Sequence, residues 1–432
     1  MSGRKVPDMN QYLAGAALAI LALAQSAVAQ PAPDAPPAGP LKLERVVLLM
    51  RHGVRPSTKF PATPVGTTRD PWPAWSTAAG DLTPHGAEAI RRLGAYDRAL
   101  FAQQGLLPAS GCAAPGTVVA WASSASRAIK TGKAFLETLQ PGCAVPLDHP
   151  VNEDDDAVFH PLDGSMEIDG QKALASAQAL LPPGGIAGEI ARNADAFAVL
   201  ERVIGCCPGD ACGTTATKHQ PVCHSHRETR LLAEQGDKPD LDGALGFAST
   251  AGQTILLQYL EGMPMRSVGW GRASKRDIQT MLRFHPVKFR YETRPAYVAE
   301  RVAAPIARRI GMALNQGDAR VTLLFGHDSN LAALGGFYDL HWTMADYPAD
   351  DIAPGGAIGF ERWSDAAGNG FVRAFVQAQT MDQVRNLAQL GKRNAPDRRY
   401  IAIPGCADAD TPCALAIFNR ITAAKLASPA ER

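Results

Sequence analysis

Apolar positions along the chain fall either into short unbroken runs or into helical spacing, and the two kinds alternate. Three of the runs share one plan: consecutive apolar residues, an abrupt polar turn, then helical signals. Val46–Met50 leads into Arg51, His52 and Gly53. Thr117–Trp121 leads into Ala122, Ser123, Ser124, Ala125, Ser126 and Arg127, and Val321–Phe325 leads into Gly326, His327, Asp328, Ser329 and Asn330. Unbroken apolar runs of this length predict strands covered on both faces, as in an α/β sheet with helices on each side. Helices are predicted from Thr83-Pro84, through Ile90, Leu93, Tyr96 and Leu100, to Gly105, and over Ala128–Gln140 and Ala296–Leu314. Proline at a first turn supports the first of these. The stretch from about Asp148 to Pro286 is less regular and rich in Gly, Pro and Cys, with one apolar helix candidate, Phe247–Leu260. It reads as a mostly helical lobe inserted at 148–286 into an α/β domain formed by 41–147 and 287–432. Ligands of such sheets bind just beyond the carboxyl ends of the strands, so three distant stretches are expected to meet at one crevice.

The first 29 residues carry a different pattern. Arg4 and Lys5 precede an Ala/Leu-rich run, Leu13–Leu23, that is short for a bilayer span, and Ala27-Val28-Ala29 supplies small residues at a cleavage point. This predicts an export signal cut after Ala29 and a periplasmic or secreted product; an N-terminal membrane anchor is the alternative. Residues 30–40 (QPAPDAPPAGP) read as an extended tether. No later segment is apolar enough to span a bilayer. The chain has 8 cysteines, and an even number in an exported protein suggests disulfides. Cys406 and Cys413 are close enough to pair locally, and Cys112 and Cys143 flank the second strand and its helix. Cys206, Cys207, Cys212 and Cys223, followed by His224 and His226, fit either two short-range disulfides or a zinc site.

Charge changes the picture only by exclusion. With 43 Lys and Arg against 42 Asp and Glu, the net charge of +1 offers nothing global to nucleic acid or to an acidic membrane. Any anion must be gripped locally. Arg51, Arg55 and Arg127, all at strand ends, present planar forks of donors suited to a doubly charged oxyanion. Gly53 is expected to let the backbone approach that anion, and a helix beginning after the loop to add N–H groups. A neutral imidazole such as His52 in that pocket can attack phosphorus and form a covalent intermediate while the arginines stabilise the transferring charge. Asp328, beside His327 at another strand end, is placed to protonate the leaving oxygen. A bound phosphate favours its acid form by like charge, which predicts best activity at acid pH.

At this point the residues resemble a family. "MRHGVRPSTK" (Met50–Lys59) resembles the Arg-His-Gly-x-Arg signature of the histidine acid phosphatases, the two-step branch of the histidine phosphatase superfamily. "LLFGHDSNLAALGG" (Leu323–Gly336) resembles their His-Asp signature, and "SRAIKTGKAF" (Ser126–Phe135) the segment with a third phosphate-binding arginine. Weaker similarities run in the family's order at Trp72–Gly86, Gly262–Gly271, Ala353–Trp363 and Gly405–Cys413, so the resemblance spans nearly all of the chain after the signal. The bacterial periplasmic phytase/acid phosphatase and glucose-1-phosphatase group is the most similar branch. The resemblance implies a mixed, mainly parallel central sheet with flanking helices and a smaller, mostly helical lobe over the cleft. It implies that His52 is the nucleophile, that Arg51, Arg55, Arg127 and His327 bind phosphate, that Asp328 is the proton donor, and that Thr58 and Lys59 contact substrate outside the pocket. The implied activity is acid hydrolysis of phosphate monoesters, phytate or sugar phosphates, with no cofactor and no metal.

Three departures from the family pattern stand out. Pro56 comes one place early and Ser57 follows, in a loop of unchanged length. Gln253 stands where relatives with phytase activity often carry Glu. Asn152–Leu162 (NEDDDAVFHPL), where relatives build a substrate loop, carries four acidic residues and reads equally as a solvated turn or a specificity device. A mutase-like transferase and a catalytically silent phosphate- or sugar-phosphate-binding protein are the alternative functions. The natural ester, the oligomeric state and the pairing within the 206–223 cluster stay open.

Overall fold

A computed structural model describes residues 37, 39–163, 166–206, 223 and 227–427. The export signal at 1–29, most of the tether, Cys207, Cys212, His224 and His226 lie outside the described residues. The elements in chain order are β1 (Lys42–Arg51), α1 (Pro84–Gln103), β2 (Val118–Ala122), α2 (Ser126–Leu139) and β3 (Leu147–Asp148). There follow α3 (Gly170–Gln178), α4 (Gly185–Arg192), α5 (Ala194–Ile204), β4 (Arg230–Leu232), β5 (Asp240–Asp242), α6 (Ala244–Leu260), α7 (Lys275–Met281) and α8 (Phe284–Glu292). Then come α9 (Ala296–Val302), α10 (Ala304–Asn315), β6 (Val321–Gly326) and α11 (Asp328–Tyr338). The chain closes with β7 (Ala357–Ser364), β8 (Gly370–Ala378), α12 (Met381–Arg385), β9 (Asp397–Ile401), β10 (Cys413–Ala414) and α13 (Leu415–Ala427).

The fold is α/β: a mixed central sheet of 8 strands flanked by helices, with β7, β1, β6, β2 and β3 in that order and β8 beyond β7, where it pairs with both β9 and β10. β1, β6, β2 and β3 run parallel; β7 joins β1 antiparallel. Register places Arg51 opposite Gly326 and Ala122 opposite Phe325. The carboxyl ends of β1, β6 and β2 therefore finish level, and the residues that follow each one project into the same space.

Both faces of β1 are covered, which is why its apolar run is continuous. Val46, Leu48 and Met50 pack with Ile90, Leu93 and Phe101 of α1 and Phe135 and Leu139 of α2. Val47 and Leu49 face the second core, shared with α6, α8 to α11 and α13. Each fully buried residue of this kind contributes about 2 kcal/mol relative to exposure. Thr83 caps α1, its hydroxyl accepting from Gly86 N at 2.8 Å, as the Thr-Pro start predicts.

Two elements differ from expectation. The helix expected over Ala296–Leu314 is two helices with a turn at Ala303, because Pro305 in the first turn of α10 lacks the N–H that a continuous helix needs there. Nor does a helix directly follow β1; a loop runs to Pro84. The helix N-termini nearest the strand ends are instead those of α2 and α11, after β2 and β6. Disulfides join Cys112 to Cys143, Cys206 to Cys223 and Cys406 to Cys413. With Cys206 and Cys223 bonded to each other, neither is a thiolate for zinc. Among the described residues no helix is long and apolar enough to cross a membrane.

Candidate active site

β1 delivers Arg51 and His52 into the interior, each 1 % exposed. Their backbone is fixed from both sides: His52 N donates to Gly326 O at 3.0 Å, and Arg51 N to Gly356 O at 2.8 Å. The glycine that follows is required by packing. A Cβ on Gly53 meets Ile90 Cγ1 and Leu82 Cδ1 at 3.0 Å and Gly86 O at 3.3 Å, so α1 and the residues just before it pack tightly on this glycine.

Hydrogen bonds settle the state of the His52 ring. Nδ1 is 2.9 Å from Gly53 O, and a carbonyl only accepts, so Nδ1 carries the proton. Nε2 is 3.3 Å from Arg55 Nε, which only donates, so Nε2 presents a lone pair. Burial, then Arg55, Arg51, His327 and Arg127, hold the His52 pKa well below its usual value. The ring stays neutral at acid pH. Arg55 itself is lowered to about 10, chiefly by burial, and remains a cation.

His327 follows β6, as Ser123 follows β2. Its Nε2 lies 3.0 Å from Ser123 Oγ and its Nδ1 3.4 Å from Arg127 Nη2 in the first turn of α2. The His52 and His327 rings lie 5.6 Å apart. His327 is likewise held well below its usual pKa by burial and by Arg127. Asp328, the first residue of α11, has Oδ2 2.7 Å from Arg51 Nη2. Burial pushes its pKa up, but Arg51, the His285 contact and His52 outweigh that and hold the carboxyl well below the usual range. Arg51 thus keeps Asp328 ionised, and a phosphate bound beside it favours its acid form in the way the sequence reading requires.

The fold brings together Arg51, His52, Arg55, Arg127, His327 and Asp328. Thr58 and Lys59 stand apart from them, exposed at the mouth of a cavity of about 530 Å³ whose floor includes Arg51, Arg55 and Asp328. Other residues join the site, and of these His285 and Asp351 have no signal in the sequence. Gln253 of α6 accepts from Arg51 Nη2 through Oε1 at 3.2 Å, while its buried Nε2 has no partner. His285 of α8 lies between Asp351 and Asp328, and Ser123 braces His327. The acidic stretch forms a wall of the site. Asp156, 1 % exposed, accepts from Ser124 N, Phe159 N and His160 Nδ1 at 3.0–3.2 Å, and the His160 ring lies 5.1 Å from that of His327. Asn330 ties this wall to α11 by donating to Phe159 O at 2.8 Å. Only Glu153, Asp154 and Asp155 of the four acidic residues are exposed.

A neutral histidine with a free lone pair, ringed by arginines at parallel strand ends with a carboxylate opposite, is equipment for phosphoryl transfer without a metal. Comparison with known proteins agrees. The family model of the histidine phosphatase superfamily (branch 2) matches residues 42–179, and the chain belongs to that superfamily. Phytase AppA of Escherichia coli is 33% identical over 414 residues, covering 92% of this chain and 94% of that protein. A glucose-1-phosphatase of Salmonella typhimurium is 30% identical over 431 residues, covering 96% of this chain and 100% of its own. The solved phytase of Hafnia alvei in complex with myo-inositol hexakis sulphate superposes with a TM-score of 0.80 at 31% identity, covering 90% of this chain and 98% of that one. The protein is a phosphoric monoester hydrolase of the histidine acid phosphatase type.

Proposed function

We propose that His52 is the nucleophile, that Arg51, Arg55, Arg127 and His327 cradle the transferred phosphoryl group, and that Asp328 protonates the leaving oxygen. The observation that carries this reading is the His52 ring, with its Nδ1 proton given to Gly53 O and its Nε2 lone pair beside Arg55. Attack from Nε2 gives a phosphohistidine, and water then releases phosphate. The arginines meet the charge that develops on the equatorial oxygens.

For the substrate we infer a multiply phosphorylated polyol of the phytate class. Lys59, Lys238 and Lys288 line the mouth outside the cradle and suit phosphates that are not reacting. The names of the E. coli relative and of the Hafnia complex point the same way. A sugar monophosphate is the second reading. Glu292 sits 3.9 Å from Lys238 and 3.5 Å from Lys288 and offsets part of that charge, and the Salmonella relative is a glucose-1-phosphatase. Gln253, His285, Lys238 and Lys288 come from within or just beyond 148–286, so we read that stretch as the inserted lobe that sets substrate choice. The three disulfides among the described residues support export through the signal at 1–29, with work in the periplasm or outside the cell.

Phosphate release at acid pH from phytate, glucose 1-phosphate and p-nitrophenyl phosphate tests the reading, with His52→Ala as the control. Turnover that vanishes in the variant supports the nucleophile, and the ratio among esters decides the substrate. No turnover of any ester moves the reading to a phosphate-binding protein.

A further inference from the structure

We propose that His285 is the proton store for Asp328, a positioning residue acting through that carboxylate, and that Asp351 holds it for the task. The proposal rests on Asp328 being the acid. The requirement is plain: Arg51 keeps Asp328 ionised, yet an alkoxide leaving group needs a proton from it. The proton must reach Asp328 after substrate binds.

His285 is 4 % exposed and Asp351 3 %. His285 Nδ1 lies 2.6 Å from Asp351 Oδ1, which also accepts from Ile352 N at 2.9 Å. The far nitrogen, Nε2, stands 3.5 Å from Asp328 Oδ2, a distance open to tightening when ligand enters. An imidazole with a carboxylate at each nitrogen favours the cation, and its pKa is accordingly raised despite burial, by Asp351 and the Asp328 contact and against Arg51. Those three act on it most strongly, with Lys288 and Glu292 on its own helix and Arg55 lining the same cavity; Tyr347, whose hydroxyl is raised by burial and by Asp351, adds no charge. The Phe289 ring packs edge-on at 4.7 Å. One segment positions the whole chain of groups, since Ile352 O also accepts from Arg51 Nη1 at 2.5 Å and Asp351 O from Trp342 Nε1 at 2.8 Å. A buried His–Asp pair that merely ties two segments would turn its second nitrogen to a backbone carbonyl. Here it faces Asp328, and His285 lines the cavity, where solvent can restore its proton.

The steps balance. A bound phosphate raises the proton affinity of Asp328, and the Nε2 proton of His285 passes to Oδ2. His52 Nε2 bonds to phosphorus as the ester P–O bond breaks, and the leaving oxygen takes the Asp328 proton. Water then attacks phosphorus and the P–N bond breaks. The proton lost by water goes to Asp328 and returns to His285.

The experiment compares kcat on p-nitrophenyl phosphate, a good leaving group, with kcat on glycerol 2-phosphate, a poor one, in His285→Gln, Asp351→Asn and Asp328→Asn. His285→Gln is expected to lose roughly 100-fold on the glycerol ester, within the range for a positioned proton-transfer group, and at least about tenfold less on the aryl ester. Asp351→Asn keeps the imidazole but weakens its hold on the proton, so the basic limb of the glycerol-ester profile moves to lower pH by about one unit or more. Equal losses on both esters in His285→Gln, or an unmoved limb in Asp351→Asn, overturn the store. If His285→Gln does not fold, the Asp351→Asn profile decides alone. Asp328→Asn separates the two readings. Leaving-group dependence there but not in His285→Gln sinks only the store, whereas its absence in Asp328→Asn sinks the acid assignment and the store with it.

Discussion

Replacing Arg55 with Gln puts the electrostatic account of the nucleophile to a direct test. Arg55 Nε lies 3.3 Å from His52 Nε2 and, after burial, is the strongest influence holding that ring neutral. Two unit charges about 4 Å apart at an effective dielectric near 20 interact by about 4 kcal/mol. Losing the guanidinium removes this opposition to the imidazolium, so the His52 pKa rises. Water entering the gap screens part of this, so the full Coulomb figure is an upper bound on the change. The sign is fixed: a His52 that protonates more readily loses its lone pair at higher pH, so activity fails sooner on the acid side. The kcat/KM profile on p-nitrophenyl phosphate reports the free enzyme and should show its acid limb move upward. Nitrogen-15 NMR of the histidine rings gives the His52 titration without turnover. The overall rate also falls, by about 10²–10³, because a donor to the transferring group is gone. A variant that loses rate but keeps both the limb and the NMR titration in place refutes the claim that Arg55 sets the state of His52.

Other perturbations test separate parts of the structure. Asp97 is fully buried in α1, its two carboxylate oxygens each accepting from Gln377 Nε2 at 3.0 Å, and burial raises its pKa to about 7. The folded state then binds a proton that the unfolded chain releases near pH 4, so stability present below that pH is lost as pH rises to 7. Asp97→Asn should gain on the native protein between pH 4.5 and pH 8 by up to about 4 kcal/mol, read from thermal unfolding at both pH values, and equal effects at the two would contradict it. Gly53→Ala should cost about 1–3 kcal/mol in urea unfolding and most of the activity, because the new methyl pushes α1 away from the His52 loop. Chelators should leave turnover intact; strong inhibition would show that a metal takes part.

Much of the site was legible because its signals are local. Arg51-His52, Ser123 to Arg127 and His327-Asp328 each directly follow an apolar run, and in a parallel sheet such positions share one end. The rest had no local signal. His285 sits on a helix whose sequence reads as ordinary core and surface, Asp351 lies in a loop with no motif, and Gln253 was visible as a departure from the family pattern but not as a partner of Arg51. The tight packing on Gly53 was also hidden, since it depends on Leu82, Gly86 and Ile90, far along the chain. The split between α9 and α10 was the exception, because Pro305 announces it and the apolar periodicity on either side masks it.

By itself the sequence determined the strands, the helices that cover them, the neighbourhood of His52 and the family, since each depends on residues adjacent or a helical turn apart. Only the tertiary structure decided which distant groups touch. It set the tautomer of His52 through Gly53 O and Arg55, the ionisation of Asp328 through Arg51, and the Asp351–His285–Asp328 chain. Charge interactions fall off within a few ångströms of buried contact, so proton positions belong to the folded arrangement and have no counterpart in the order of residues.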